Sequence, residues 1–279
     1  MAASPRTDWL APGLLLLAGM RPPGHGWRRI GQWMLVLLLL VPLVLLGSVE
    51  CLYRYTLSRV GELPRVPVAR TDFATRALWA ATEEGPLQLE PRWPWTLVAE
   101  FAQVTWHPRH ERTAGSLTSW YVARQWMTSR PGHESTSMRN WHLRGLALSM
   151  WISRHWTVEE LLTAYAEGSG FGRNIIGLDA AARRYFGKAP GQLALHEAAL
   201  LAGLPQSPAR YDPFCQPERA LQRRNVVLSR LQGLGWISEA QGEEARKQPL
   251  PPATIAEEGA GACAHDQNTP PGRSRLHGE

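Results

Sequence analysis

The hydrophobic pattern separates an apolar segment near the N-terminus from a longer region with helical periodicity. From Ile30 to Val49 there is no charged residue, and the run WMLVLLLLVPLVLLG is apolar throughout. About 20 such residues match the thickness of the hydrocarbon core of a membrane. Pro42 is compatible with this assignment because membrane helices tolerate proline. The segment is therefore predicted to be a transmembrane helix.

The charges that flank this segment predict its orientation. Arg28 and Arg29 precede it and Glu50 follows it, which favours a cytoplasmic N-terminus, although Arg54 and Arg59 weaken the bias. A cleaved signal peptide is the alternative interpretation. An uncleaved anchor is preferred, because the apolar run is long for a signal peptide and no convincing small-residue cleavage site follows it.

Beyond the anchor, apolar residues recur at helical spacing, and strand-like alternation is nearly absent. The fold is therefore predicted to be mainly α. Two capping-box patterns, Thr157 to Glu160 and Ser238 to Gln241, each predict the start of a helix. Further helices are expected over 73–82, 114–127, 139–155, 178–185, 195–204 and 219–234.

Composition and pattern together divide the chain into five segments. We expect a cytoplasmic tail over 1–29, the transmembrane anchor over 30–50, a juxtamembrane connector over 51–70 and a folded domain over 71–248. Residues 249–279 are rich in Pro, Gly, Ala and polar residues, which predicts disorder. Three tryptophans are either ordinary core and surface aromatics or rings at the level of the lipid headgroups: Trp93, Trp95 and Trp106.

The net charge of +6 comes almost wholly from arginine, since only Lys188 and Lys247 are lysines. Arginine suits phosphate recognition, and a basic excess suits anionic lipid, a diphosphate substrate or nucleic acid. No aromatic–basic module typical of nucleic-acid binders is present, so nucleic acid is not expected as a partner. Cys51, Cys215 and Cys263 lack metal-ligand spacing. Cys215 and Cys263 could pair in an oxidising compartment, but unpaired thiols are expected because Cys263 lies in the predicted flexible tail.

The strongest motif of the chain lies between Thr157 and Pro213. It reads TVEELLTAYAEGSGFGRNIIGLDAAARRYFGKAPGQLALHEAALLAGLPQSPARYDP. This sequence resembles the C-terminal half of the catalytic domain of peptidoglycan glycosyltransferases, glycosyltransferase family 51, which occurs in monofunctional transglycosylases and class A penicillin-binding proteins. The resemblance implies a lysozyme-like helical glycosyltransferase domain. Lys188 and Glu197, which lie within the motif, are expected to be structural.

In this family, one glutamate acts as general base on the acceptor 4-hydroxyl, and cationic groups stabilise the departing diphosphate. The family motif around that glutamate, EDxxFxxHxG, is similar to EEGPLQLEPR, which places the catalytic residue at Glu83. Glu84 replaces the aspartate of the motif, Leu87 the phenylalanine and Glu90 the histidine. A carboxylate with a raised pKa could take a proton near neutral pH. The alternative is that Glu83 is simply a carboxylate at a helix end.

The second family motif, GGSTITQQ, is similar to AGSLTSWY in this chain. Ser116 matches and Thr118 is shifted by one position, whereas Trp120 and Tyr121 replace the two glutamines. Arg124 falls on the family's lysine. Backbone N–H groups at a helix start form a natural anion site, and arginine can bind a phosphate through two hydrogen bonds. Ser116, Thr118 and Arg124 are therefore candidate substrate-binding residues, although a capping turn with a solvated arginine would look the same.

The third family motif, RKxxE, falls on the segment WHLRG, so that Gly145 stands in the place of the second family glutamate. In the family that glutamate is linked to the positioning of a metal or of the diphosphate. Its loss leaves both activity and a requirement for Mg²⁺ or Mn²⁺ open. Arg144 remains as a candidate substrate-binding cation. Glu167 and Asn174 also depart from the family pattern, and Glu167 could supply the lost carboxylate.

Three functions follow from this resemblance. The first is polymerisation of glycan strands from lipid II on the periplasmic side of a bacterial inner membrane, with lipid II and the growing strand as partners. The second is a catalytically impaired relative that binds lipid II or proteins of cell-wall synthesis. The third is a lysozyme-like hydrolase, which needs a glutamic acid and a stabilised oxocarbenium ion. The motif FGKxxxxLxLxEAAxLA favours the synthetic family, and the first function is slightly preferred.

Overall fold

The computed structural model describes residues 25–96, 113–130 and 137–251. Within these ranges the regular structure is helical, and the one β-bridge, between Gly170 and Ile176, stands alone. The prediction of a mainly α fold is confirmed. Residues 1–24, Trp106, most of 128–136 and nearly all of 249–279 lie outside the described residues, and the boundaries of the five segments stay predictions.

The first helix, α1, covers His25–Ser58, and Pro42 lies inside it. Its part from Arg29 to Ser58 is long and apolar enough to cross a membrane, and it is the one such helix in the described ranges. From Ile30 to Leu46 its apolar side chains are exposed, as they are at Leu38 and Leu43. Exposed side chains of this kind suit contact with lipid. The chain divides into two compact units, residues 1–51 and 52–279.

In the second unit, each helix begins within two residues of its predicted start, and the six helices with a predicted end finish within one residue of it. Short 3₁₀ turns at Pro190–Gln192 and Leu204–Gln206 precede and follow one of the helices. The helices are α2 (Phe73–Thr82), α3 (Ser116–Thr128), α4 (Met138–His155), α5 (Val158–Gly168), α6 (Leu178–Phe186), α7 (Leu195–Gly203), α8 (Pro217–Gly233) and α9 (Glu239–Lys247).

Both predicted capping boxes are confirmed. Thr157 Oγ1 accepts a hydrogen bond from the backbone N–H of Glu160 at 3.3 Å, and the Glu160 carboxylate accepts from the N–H of Thr157 at 2.7 Å. Ser238 and Gln241 form the same reciprocal pair at the start of α9. These bonds satisfy N–H groups that a helix start would otherwise leave unpaired.

Helix α7 is the centre of the second unit. Every residue from Glu197 to Gly203 is buried, and α7 packs against α2 and α8, while α3 packs against α4 and α5. A Cβ atom at Gly203 would lie 2.8 Å from Cγ of Arg223 on α8. The close contact between α7 and α8 therefore requires glycine at this position.

The ion pair between Lys188 and Glu197 joins the end of α6 to the start of α7. Lys188 Nζ donates to the two carboxylate oxygens of Glu197 at 2.7 and 2.8 Å. Glu197 also accepts a hydrogen bond from the backbone N–H of Ala194 at 2.8 Å, at the start of α7. These contacts agree with the structural roles expected for both residues.

A turn with left-handed residues joins α5 to α6. Gly172 and Gly177 have φ values of 86° and 93°, and Asn174 has a φ of 59°. Asparagine adopts this conformation more readily than most residues, so Asn174 can stand where the family has glycine. The neighbouring Arg173 donates from Nε to Asp212 at 3.0 Å, which ties the turn to the segment before α8.

The cysteines differ in state. Cys215 is disulfide-bonded, and the expectation of unpaired thiols is therefore wrong for this residue. Cys51 is free and exposed. Cys263 lies outside the described residues. A disulfide suits an oxidising compartment outside the cytoplasm.

We expect Arg224 to stabilise the C-terminal helix. Its side chain is 1% exposed, and it donates to the carbonyl oxygens of Gln248 at 2.6 Å and Arg246 at 2.8 Å. Glutamine is too short to reach both acceptors, so Arg224→Gln is expected to lower the free energy of unfolding by about 2–3 kcal/mol. The measurement is chemical denaturation of the full chain in detergent, followed by circular dichroism.

The matched control for this variant is Arg219→Gln, at an exposed position of the same helix. A change within about 0.5 kcal/mol is expected there. Equal losses of stability in the two variants would contradict the role assigned to Arg224.

Candidate active site

The end of α2 fixes the backbone of Glu83. This residue directly follows the helix, and its N–H donates to the carbonyl of Trp79 at 2.7 Å. Two guanidinium groups from α8 reach the same helix end, where Arg223 and Arg230 donate to the carbonyl of Ala81 at 2.7 and 3.2 Å. Positive groups are favourable at the C-terminal end of a helix. The position of Glu83 therefore depends on the packing of α2 against α8.

The carboxylate of Glu83 lies at the N-terminus of α3. Its Oε1 accepts hydrogen bonds from the backbone N–H of Thr118 at 2.8 Å and from the Thr118 hydroxyl at 2.9 Å. Gly115, with φ of 78°, precedes the helix, and a Cβ atom there would lie 2.5 Å from Cδ1 of Leu89. Only glycine lets the chain pass so close to Leu89 in this conformation. This turn brings the start of α3 to the carboxylate.

Burial is the largest influence on the Glu83 carboxyl, which is 4% exposed, and it raises the pKa. Hydrogen bonds from Thr118, and the backbone N–H groups of Gly115 and Leu117, favour the charged form and oppose this rise. The net direction of the pKa is upward. A raised pKa makes the carboxylate a stronger proton acceptor than an exposed glutamate, as general base catalysis requires.

The other candidates divide between two sides of α3. Thr118 is fully buried, and both its hydroxyl and its N–H bind Glu83, so it positions the carboxylate. Ser116, Trp120 and Arg124 follow one another at intervals of four residues and therefore share a different face of the helix. Ser116 is half-buried and Arg124 is exposed.

Arg144 lies half-buried on α4, the helix that packs against α3. The structure thus joins Glu83 directly to Thr118. It places Ser116 and Arg124 along the same helix, and Arg144 on its neighbour. The hydrogen bonds between Glu83 and Thr118 could not be predicted from the two separate motifs.

The contact between α3 and α4 leaves no room for a side chain at Gly145. A Cβ atom there would lie 2.8 Å from Cζ3 of Trp120 and 2.9 Å from Cε of Met127. The Trp120 ring therefore occupies the space next to the position of the family's second glutamate. The sequence contained the signal, because Trp120 and Gly145 both depart from the family pattern, but their contact appears only in the structure.

The residues at this position do not fit the divalent cation that the family resemblance left open. Mg²⁺ and Mn²⁺ prefer carboxylate and other oxygen ligands, whereas Gly145 supplies no side chain and Trp120 supplies a carbon ring. In the part of the chain that the structure describes, no group of three His, Cys, Asp or Glu residues could hold a metal ion.

Glu167, considered as a replacement for the lost carboxylate, is exposed near the end of α5. It lines a groove with a volume of about 540 Å³, together with Gln125, Trp126 and Trp156. Glu83 does not line this groove. The structure therefore gives no support for a shared role of the two glutamates.

Comparison with known proteins identifies the domain. Residues 96–232 match the family model described as Transglycosylase. Penicillin-binding protein 1A of Aquifex aeolicus is 47% identical over 103 residues, which are 37% of this chain and 14% of the relative. Penicillin-binding protein 1A of Escherichia coli is 31% identical over 196 residues, which are 70% of this chain and 22% of the relative.

A larger share of a third, shorter relative is matched by this chain. A provisionally named transglycosylase of Cupriavidus necator is 38% identical over 135 residues, which are 48% of this chain and 56% of the relative. The chain therefore spans less than two thirds of the length of each of these relatives. The similarity applies to the glycosyltransferase region and not to the remainder of the longer proteins.

The buried carboxyl of Glu83 predicts a pH dependence of stability. Because its folded-state pKa is raised above the ordinary 4.5, the folded state binds more protons than the unfolded state. The free energy of unfolding therefore falls as the pH rises from 4.5 through the raised pKa. In Glu83→Gln the amide oxygen can still accept hydrogen bonds from Thr118. Because the amide does not titrate, the fall in the free energy of unfolding with pH is absent from this variant. The stability of the variant relative to the wild type is expected to increase with pH across that window.

Denaturation of both proteins in detergent, at several values between about pH 4 and 8, measures this difference. The control is Glu243→Gln, at an exposed position of α9. A difference between Glu83→Gln and the wild type that stays constant with pH would show that the carboxyl titrates normally.

Proposed function

The chain carries a transglycosylase domain of glycosyltransferase family 51, and from this premise we propose that it transfers glycosyl units from lipid II to a growing glycan strand. The observation that carries the proposal is the buried carboxyl of Glu83, bound to the N-terminus of α3 and raised in pKa. A general base needs both a fixed position and a basicity above that of a solvated carboxylate.

In the proposed step, Glu83 accepts the proton of the acceptor 4-hydroxyl while the oxygen of that hydroxyl bonds to the anomeric carbon of the donor sugar. The bond between this carbon and the diphosphate oxygen breaks, and the polyprenyl diphosphate leaves with the electron pair. Arg124, exposed on α3, and Arg144 on α4 are the candidate groups that bind the departing anion. Ser116, on the same face of α3 as Arg124, is a further candidate through its hydroxyl, because the backbone N–H groups of Ser116 and Thr118 already donate to Thr113 and Glu83.

The apolar helix α1 supports a single-pass anchor, which would hold the domain near the bilayer that contains the lipid-linked substrate. Arg28 and Arg29 before the apolar run, and Glu50 after it, favour a cytoplasmic N-terminus. This orientation places the domain on the periplasmic side of the inner membrane. Penicillin-binding proteins 1A among the relatives support a role in the cell wall.

A catalytically impaired relative that binds lipid II or cell-wall synthesis proteins is the second candidate. The contact between Trp120 and Gly145 favours it, because an aromatic ring fills the space beside the position where the family has its second carboxylate. Glu83 and its hydrogen bonds to Thr118 are retained in this candidate as well. Polymerisation therefore separates the two candidates, and binding alone does not.

We expect the full chain, purified in detergent, to extend glycan strands from labelled lipid II. Glu83→Gln is expected to lower the initial rate by about 10²- to 10⁴-fold, the usual contribution of a general base. The rate is measured by separation of polymer from lipid II on gels, with Glu243→Gln as the exposed control. In the wild type, binding of lipid II without polymer would select the second candidate. An absence of both binding and polymer would contradict the first candidate and the lipid II-binding form of the second.

A further inference from the structure

Three rings and a guanidinium group from α3 and α4 form one cluster, which we call the Trp120 platform. The ring of Trp120 is stacked on that of His142, with centroids 6.0 Å apart and planes inclined by 13°. Trp141 meets Trp120 edge to face at 6.2 Å and 85°. The Arg124 guanidinium lies 5.9 Å from the centroid of Trp141. His142 and Arg124 are exposed and the two tryptophans are half-buried.

The backbone of α4 holds the Trp120 ring in place. A Cβ atom at Gly145 would lie 2.8 and 3.0 Å from two atoms of that ring, so the ring rests directly against the helix. The stacked ring of His142 is the second contact that holds the Trp120 ring. A ring that is already ordered before a ligand arrives loses little conformational freedom on binding.

The platform combines two kinds of recognition. Aromatic faces provide large apolar surface of the kind that lines sites for small molecules, and they suit the C–H face of a sugar ring. The guanidinium group of Arg124 can bind a phosphate through two hydrogen bonds. A sugar that carries a diphosphate has both features, and the four side chains include no carboxylate that would repel it.

We propose that the Trp120 platform is a binding site for the sugar and diphosphate of a lipid-linked glycan, and that it binds them without a divalent cation. The identity of the ligand rests on the proposed function, whereas the platform does not depend on transfer by Glu83. Arginine and aromatic rings take the role that a carboxylate and its metal ion would have, because Gly145 leaves no place for that carboxylate. The site therefore has a specificity different from that of an acidic metal site.

The test measures the affinity of a short-chain lipid II analogue for the full chain in detergent, on a Glu83→Gln background that prevents turnover. Trp120→Ala is expected to weaken binding at least about tenfold, because the ring supplies the stacking surface. The matched control is Trp126→Ala, which removes another half-buried tryptophan of α3 that lies outside the platform. Equal affinities of these two variants would overturn the proposal.

A second variant avoids the risk that loss of Trp120 disturbs the fold. Arg124→Gln changes an exposed side chain, and it is expected to weaken binding of the diphosphate analogue about tenfold while leaving a neutral disaccharide unaffected. Equal weakening for both ligands, or for neither, would contradict the assigned role of the guanidinium group.

The cation is tested directly. The affinity of the analogue is expected to change less than about twofold between excess EDTA and millimolar Mg²⁺ or Mn²⁺. A loss of binding in EDTA that either metal restores would overturn the metal-free site.

Binding by the platform without polymer from the wild type would refute only the proposed transfer. If the wild type makes polymer and Trp120→Ala leaves the affinity for the analogue unchanged, only the platform is refuted.

Discussion

The buried hydrogen bonds between Glu83 and the N-terminus of α3 are the constraint on which the candidate site depends. Removing a carboxylate from water is costly unless hydrogen-bond donors replace the lost solvent. Thr118 supplies two donors, at 2.8 and 2.9 Å, and the positive end of the helix dipole acts in the same direction. The pKa of Glu83 nevertheless remains raised, because burial outweighs these donors. The result is a fixed carboxylate that is also more basic than a solvated one.

This arrangement depends on two further sets of contacts. Arg223 and Arg230 hold the carbonyl of Ala81 at the end of α2. Gly115 turns the chain beside Leu89, so that α3 can begin at the carboxylate. The residues that carry this support lie far apart in the sequence, and the packing of α2, α3 and α8 brings them together.

Helix bounds could be predicted well from the sequence, because their signals are local. Capping boxes at Thr157 and Ser238 act over three residues, and the periodicity of apolar residues shows which face is buried. Glu83 could be located through its motif, but its hydrogen bond with Thr118 joins residues 35 positions apart. No local pattern reports such a contact. The disulfide at Cys215 was missed for a similar reason, since composition indicates flexibility but not pairing.

The two departures at Trp120 and Gly145 show how packing gives a meaning to separate substitutions. Taken singly, each is the loss of a polar family residue. Together they form a contact in which the glycine makes room for the ring. A larger residue at 145 would displace Trp120, and a smaller residue at 120 would leave a cavity beside α4, which is destabilising. The pair is therefore coupled through volume, whatever the chemistry of the site.

Helix α3 contacts the Glu83 carboxylate and also carries part of the Trp120 platform. Its N-terminus binds Glu83, while Ser116, Trp120 and Arg124 follow at intervals of four residues along one face. At 1.5 Å per residue, the distance from Ser116 to Arg124 along the helix axis is about 12 Å. An isolated anion would contact only a fraction of this face, whereas a sugar joined to a diphosphate could extend along it. The geometry thus requires a ligand with both parts if the Ser116 hydroxyl, the Trp120 ring and the Arg124 guanidinium group are to act on one molecule.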